Sequence, residues 1–436
     1  MYMRGRKWNM RQPRRFPNLW RLLVLGLIAA FLYYVNQVVQ PLSPSLFLPS
    51  PTPTLSPEVY ISEAENLASQ GKYAQALAEY QKAIKTDPQN PANYIASARL
   101  NAFSGNYAGA ISDASNALLL APNSSQAEAI KGFALGFSGE YLSAESSLKR
   151  AIELDPSNAS AYAYLAIVYS QQIIIGEGAL GNLDQAIEVS RKAESIAPNA
   201  LESHWARGVV LEITGNYEEA IVEYDAAVVQ NANIAELHMA LGRNYRTLER
   251  YDRAVEEFTK ANALNPADPL PDTYISRTYA SVGEFGKAIQ YAEQAVNDTP
   301  ADAFMYGNLG SLYFRNRQYE SALYVLRLAI RGGTTPEGVA VEGLPLAPGR
   351  VGEYYYNYAL TLMRLGYCEE AVEIAQAIKQ SLIDDEIAVY NAQFAIDNCI
   401  SALSSGLPEP TMIPTPTARA TATPSRESTA PEAGGG

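Results

Sequence analysis

The sequence predicts an all-α fold, a solenoid of about nine stacked helical hairpins. Residues of the same type return every 34 positions through most of the chain, as Tyr73, Tyr107 and Tyr141 do. Alanine and proline positions recur in phase with these tyrosines, which chance does not produce. The recurring alanines include Ala76, Ala110, Ala144, Ala220, Ala254, Ala288 and Ala322. A period of this length indicates one supersecondary unit repeated along the chain.

Small residues and glycines indicate how each hairpin is built. In most predicted hairpins, one position of the first helix holds a residue small enough for the second helix to approach closely. These residues are Ala64, Ala98, Gly132, Ala166, Gly208, Gly242, Ser276 and Gly310. Glycines stand between the two helices, where a helix C-terminus favours the left-handed conformation. They are Gly71, Gly105, Gly139, Gly181, Gly215, Gly283 and Gly366.

The repeat resembles the tetratricopeptide repeat. In the copy at residues 303–335, the first-helix positions of the family pattern hold Tyr306, Leu309, Gly310 and Tyr313, and Ala322, Leu326 and Ala329 follow on the second helix. The nine copies begin near residues 57, 91, 125, 159, 201, 235, 269, 303 and 352. The resemblance implies a right-handed α-solenoid whose first helices line a concave groove that binds proteins or peptides, not an enzyme.

The N-terminal region predicts a basic cytoplasmic segment followed by a transmembrane helix. Residues 1–21 hold seven cations, and the first acid of the chain is Glu58. Residues 22–39 are apolar apart from two amides, a length that just spans a bilayer. The flanking cations place the N-terminus inside and the repeats outside the cytoplasmic membrane. The alternatives are secretion after signal cleavage, although no small-residue cleavage site follows Val35, and a buried core helix.

Two segments flanking the repeats are predicted to lack a packed core. Residues 40–56 are rich in proline, which favours a semi-rigid, extended linker. Residues 404–436 are rich in Pro, Thr and Ser and hold too few apolar side chains to fold, so we expect a disordered tail. The repeat array with a C-terminal capping helix is thus predicted to occupy residues 57–403.

Two insertions interrupt the period. The first, near residues 173–182, contains a GxGxxG pattern at Gly176–Gly181. A dinucleotide site would require a strand in a βαβ unit, so we expect a lengthened first helix and a mobile loop, and no cofactor. The second, Gly332 to Arg350, is expected to be a disordered surface loop, with a partner contact as the alternative.

The two cysteines are predicted to form a disulfide. Cys368 opens the second helix of the last hairpin, and Cys399 lies near the end of the capping helix. Both are equally distant from the turn between these helices, so an antiparallel pair sets them side by side. An oxidising compartment outside the membrane permits the bond. Two unpaired buried thiols are the alternative.

The sequence predicts neither catalysis nor a metal site. His204 and His238 occupy the same register of adjacent repeats, but no cysteine or third histidine joins them, and this register elsewhere holds aromatic packing residues. The net charge of −13 rises in magnitude once the basic N-terminus is set aside. Nucleic-acid binding by the array is therefore not expected.

Carried onto this sequence, the concave groove of the family has two parts. The apolar part, in repeats two to five, holds Phe103, Phe133, Phe137, Ile167, Trp205, Val209 and Ile213. The cationic part holds Arg243, Arg246, Arg277, Arg315 and Arg364. Such a groove suits a peptide with apolar anchors and a carboxylate. The alternative is that the apolar residues pack between repeats and the arginines face solvent.

Together these features predict a membrane-anchored, extracytoplasmic scaffold that binds partner peptides. The alternatives are a structural component of an envelope or polymer secretion complex and an accessory module for a separate enzyme. The oligomeric state does not follow from the sequence.

Overall fold

The computed structural model describes residues 18–35, 56–176 and 181–404. The chain divides into two units between Ser56 and Pro57. The described part of the first unit is one helix, α1 (Leu19–Tyr34), of 16 residues. Within the described residues no helix is both long and apolar enough to cross a membrane. Positions 36–39 of the predicted span, nearly all of the predicted linker and tail, and residues 1–17 lie outside the described residues.

The second unit is a succession of paired helices, and the predicted all-α solenoid class is confirmed. Its first five pairs are α2 (Pro57–Ser69) and α3 (Tyr73–Thr86), α4 (Pro91–Phe103) and α5 (Tyr107–Leu120), α6 (Ser125–Phe137) and α7 (Tyr141–Leu154), α8 (Ala159–Ile174) and α9 (Asn182–Ile196), and α10 (Leu201–Ile213) and α11 (Tyr217–Gln230). The other four are α12 (Ala235–Thr247) and α13 (Tyr251–Leu264), α14 (Leu270–Ser281) and α15 (Phe285–Asp298), α16 (Ala303–Arg315) and α17 (Tyr319–Arg331), and α18 (Arg350–Leu365) and α19 (Cys368–Ser381). A single helix, α20 (Glu386–Ser404), follows.

Local signals set the ends of these helices. The side chain of Asn90 accepts a hydrogen bond from the Ala92 amide at the start of α4, and Asn158 does the same for α8. All seven glycines predicted between paired helices adopt positive φ. Glu249 (φ 59°) and Arg317 (φ 61°) occupy the equivalent position in two repeats that lack the glycine. The left-handed turn is therefore required by the hairpin, whichever residue stands there.

The small-residue seam is as tight as the sequence suggests. A Cβ added to Gly242 would lie 2.4 Å from the Phe258 ring of the paired helix, and one added to Gly310 would lie equally close to Leu326. No side chain larger than hydrogen fits there without moving its neighbour. Each first helix packs on the second helix of its own repeat, and that second helix packs on the first helix of the next.

The two insertions differ in outcome. In the first, α8 has 16 residues where most other first helices have 13, so the predicted lengthening of the helix is confirmed, while residues 177–180 lie outside the described part. The second is ordered, contrary to the expected disordered loop. It forms a short antiparallel hairpin of β1 (Gly333–Thr334) and β2 (Ala340–Val341). Val341 is buried, and the Leu344 amide donates to the Ala329 carbonyl at the end of α17.

A disulfide joins α19 to α20. Cys368 and Cys399 are bonded, with their Cα atoms 5.1 Å apart and 31 positions apart in sequence. Closing a loop of this length stabilises the fold by about 3–4 kcal/mol in the chain-entropy view. The bond holds α20 to the hairpin that precedes it.

Candidate functional site

The apolar part of the predicted groove is not open. Phe103, Phe133, Ile167, Trp205 and Val209 are buried, none exposing more than 8% of its surface, and Phe137 is half-buried. These residues fill the inner face with one another. The ring centroids of Phe133 and Trp205 lie 5.4 Å apart, and those of Phe103 and Trp205 lie 6.5 Å apart. The predicted apolar binding surface is therefore part of the protein's own core.

The reason is a contact between repeats far apart in sequence. Trp205 belongs to the fifth repeat and Phe103 to the second. An ion pair of 2.5 Å joins the same two repeats, between Arg99 and Glu202. The Tyr73 hydroxyl also bonds to the Asn231 side chain, at 3.1 Å. The solenoid turns tightly enough for its early repeats to meet its middle ones, so the inner face between them closes.

Arg243 is a structural residue, which corrects its assignment to the groove. Its guanidinium lies 3.0 Å from Glu212 and 3.5 Å from Glu236, and its side chain is 26% exposed. Burial alone would lower the pKa of Arg243, but the two carboxylates raise it well above its usual value. Burial likewise would raise the pKa of Glu212, but Arg243 lowers it. The charges of Arg243, Glu212 and Glu236 are therefore paired with one another within the protein.

Arg246, Arg277 and Arg315 do meet, at a cavity of about 240 Å³ on the inner helices of repeats six to nine. The cavity is partly open to solvent. Its lining consists of Arg246, Thr273, Ser276, Arg277, Ala280, Ser281, Ala292, Ala295, Met305, Asn308, Ser311, Leu312, Arg315, Arg350 and Glu353. We call it the arginine cavity. Four cations and one acid face it, in a chain whose net charge is −13.

Two of the four arginines have no ion-pair partner in the part of the chain that the structure describes. Arg315 and Arg350 share Glu353, at 3.1 and 3.0 Å. Arg246 and Arg277 form no ion pair with a described carboxylate; both lie against the Tyr274 ring, at 5.3 and 5.8 Å. The Nε atom of each is buried without a hydrogen-bond partner among the described residues.

The environment of Arg277 shows the shortage of negative charge directly. Burial and the neighbouring Arg350 lower the pKa of Arg277. Among the described residues, its guanidinium donates one long hydrogen bond, of 3.4 Å, to Asn308. An anionic ligand would supply the missing charge and accept bonds from planar guanidinium donors, which suit carboxylate and phosphate groups.

Sequence reasoning missed Arg350 and Glu353. Arg350 is the first residue of α18, directly after the second insertion, so the 34-residue period gives no register for it. Glu353 follows one helical turn later. Arg364, which the sequence grouped with the other cations, lies exposed near the end of α18 and does not line the cavity. The ordered hairpin thus leads the chain to the start of a cavity-lining helix.

Each of the two histidines forms a hydrogen bond within its own hairpin. His204 bonds to Glu223 at 2.7 Å, and His238 bonds to Glu257 at 2.6 Å, in each case across to the second helix of the same repeat. Among the described residues, no three His, Cys, Asp or Glu side chains are placed to hold a metal ion.

Models of the tetratricopeptide repeat match residues 57–90, 129–158, 147–188, 173–236, 235–268 and 275–335. These segments together cover more than half of the chain. No curated protein matches the sequence.

Solved structures with related folds include three proteins of low sequence identity. PilF of Pseudomonas aeruginosa is 22% identical, with a TM-score of 0.38 over 47% of this chain and 90% of its own. The Cut9–Hcn1 hetero-tetramer of the APC/C matches at 19% identity and a TM-score of 0.45, over 58% of this chain and 48% of that one. A tetratricopeptide repeat protein from Parabacteroides merdae matches at 18% and 0.40, over 64% of this chain and 99% of its own.

Proposed function

Because this chain belongs to the tetratricopeptide repeat family, whose members generally mediate protein–protein interaction or assembly, we propose that it is a scaffold that holds an acidic segment of a protein partner in the arginine cavity. The observation that carries the proposal is the pair of guanidinium groups of Arg246 and Arg277. They form no ion pair with a described carboxylate, and their buried Nε atoms have no hydrogen-bond partner among the described residues. The repeat fold is typically non-catalytic, which agrees with a binding role.

The geometry favours a short acidic segment over a long apolar helix. On the inner face of repeats two to five, Phe133, Ile167 and Trp205 are buried against other side chains of the protein and are not available to hydrophobic anchors of a partner. The cavity instead offers guanidinium donors with a modest apolar wall from Met305 and Leu312. A carboxylate-bearing side chain or chain end fits this combination, because paired hydrogen bonds to arginine add both strength and orientation.

Crosslinking from inside the cavity tests the proposal. A photoreactive residue at Ser281, an exposed cavity position, should capture a partner in intact cells, and the captured peptide should contain aspartate, glutamate or a free C-terminus. The same residue at Leu142, which is 82% exposed on α7, is the matched control. Capture of the same proteins from both positions, or of segments without acidic groups, would refute the proposed cavity function.

We further propose that the chain is anchored by its apolar N-terminal segment with the repeats outside the cytoplasmic membrane. The support is the sequence alone: the apolar run at residues 22–39 and the one-sided cations before it. An assembly role in an envelope or polymer secretion complex, and an accessory role beside a separate enzyme, remain the other functions that this arrangement would serve.

The disulfide provides a test of location. Protein denatured directly from cells, with thiols blocked and no reductant, should show no free thiol, because an extracytoplasmic compartment permits the Cys368–Cys399 bond. Two reactive thiols per chain would contradict the outward location. Treatment with reductant before blocking should release both thiols and calibrates the measurement.

A further inference from the structure

The outer face of α20 and the turn before it expose large apolar side chains. Ile383 is 73% exposed, Ile387 66%, Tyr390 71% and Phe394 40%. We call these four residues the α20 stripe. The opposite face of the helix is buried against α18 and α19. Helix α20 is therefore apolar on both faces.

A terminal element of a repeat array normally presents a polar outer face, because nothing stacks beyond it. The stripe presents on the order of 500 Å² of apolar surface, taking about 200 Å² for each fully exposed side chain of this size. Soluble monomers seldom leave a continuous patch of this size uncovered. We therefore expect another surface to pack against the stripe.

The spacing within α20 suits another helix. Ile387, Tyr390 and Phe394 follow one another at intervals of three and four, the spacing at which helices pack side by side. The stripe is also self-complementary about a two-fold axis between Ala388 and Val389. In an antiparallel pair, Ile387 of one copy would face Tyr390 of the other, and Phe394 would face the turn that carries Ile383.

The positions of the charged residues in α20 permit the same pairing. In this register Glu386 faces Asn391, not another acid, so no carboxylate directly opposes its like. We propose that two copies of this chain associate through the α20 stripe, with the helices antiparallel. The paired stripes would bury about 1,000 Å², at the lower end for a specific interface, which corresponds to a dissociation constant in the micromolar range. The inference does not depend on the arginine cavity.

Sedimentation of the full chain in a mild detergent tests the proposal. The wild type should show a monomer–dimer equilibrium, and Tyr390→Asp should weaken it at least about tenfold, as expected for a central aromatic contact. Leu142→Asp, an equally exposed apolar position on α7, should leave the equilibrium unchanged. Because Asp384, Glu386 and Asp397 rim the stripe, dimerisation should strengthen with salt.

Disulfide crosslinking fixes the register. In a mixture of the Ile387→Cys and Tyr390→Cys chains, crosslinked heterodimers should form faster than either homodimer, because the two positions face each other across the axis. Faster homodimers would overturn the antiparallel arrangement. A wild-type chain that stays monomeric overturns the proposal. If this chain dimerises only once residues 405–436 are removed, the tail covers the α20 stripe. If it instead binds a basic amphipathic helix, such a partner covers the stripe.

Discussion

Replacing Arg277 with glutamine should weaken binding of an acidic peptide about 10- to 100-fold, the usual cost of losing a charged hydrogen bond at the centre of a binding site. The probe is a synthetic peptide copying the segment that crosslinks at position 281, measured by fluorescence anisotropy. The logarithm of the binding constant should also fall less steeply with salt concentration in the variant, because one cation fewer faces the ligand.

Folding should be little affected by this change. Arg277 forms no ion pair with a described carboxylate, and burial together with Arg350 lowers its pKa, so its charge is unfavourable in the empty protein. The unfolding temperature of Arg277→Gln should therefore equal or slightly exceed that of the wild type. Arg364→Gln, on the exposed surface of α18, should leave both binding and unfolding unchanged. Equal binding by wild type and Arg277→Gln would remove the cavity from the proposed site.

Replacing Arg243 with methionine, in contrast to Arg277→Gln, should lower the free energy of unfolding by about 2–4 kcal/mol. Methionine retains most of the apolar stem but leaves Glu212 and Glu236 partly buried without their counter-charge. Urea denaturation at pH 7 measures the effect. The matched control is Arg253→Met, since Arg253 pairs with Glu256 on the exposed face of α13 and should contribute within about 0.5 kcal/mol.

The pH dependence separates this explanation from a simple packing defect. Because the folded-state pKa of Glu212 is lowered, its pairing with Arg243 stabilises the fold above about pH 4.5 and is lost as pH falls through the folded pKa. In Arg243→Met, Glu212 keeps its burial and its hydrogen bond from Tyr224 but loses the attraction of Arg243, so its pKa is higher than in the wild type. The difference in stability between the two proteins should therefore shrink as pH falls through the pKa of Glu212 in the variant and then through its lower pKa in the wild type. A constant difference would contradict an electrostatic origin.

The sequence determined the repeat and its boundaries. Eight of the nine expected hairpins begin within one residue of the predicted position, and the ninth begins at Arg350 in place of 352. The sequence also predicted the glycines between paired helices and the close approach of the helices at Gly242 and Gly310. All these features depend on local conformation or on packing between neighbouring repeats, so each copy of the unit carries the same signal.

Only the tertiary structure decided which parts of the inner face are open. Arg99 meets Glu202, and Phe103 meets Trp205, because small rotations between successive repeats add up until distant repeats touch. The sequence of a single repeat does not show the total rotation. The tertiary structure also places Glu212 of the preceding repeat and Glu236 of the same helix beside Arg243. It places no described carboxylate in an ion pair with Arg277, although both arginines occupy first helices and look alike in sequence.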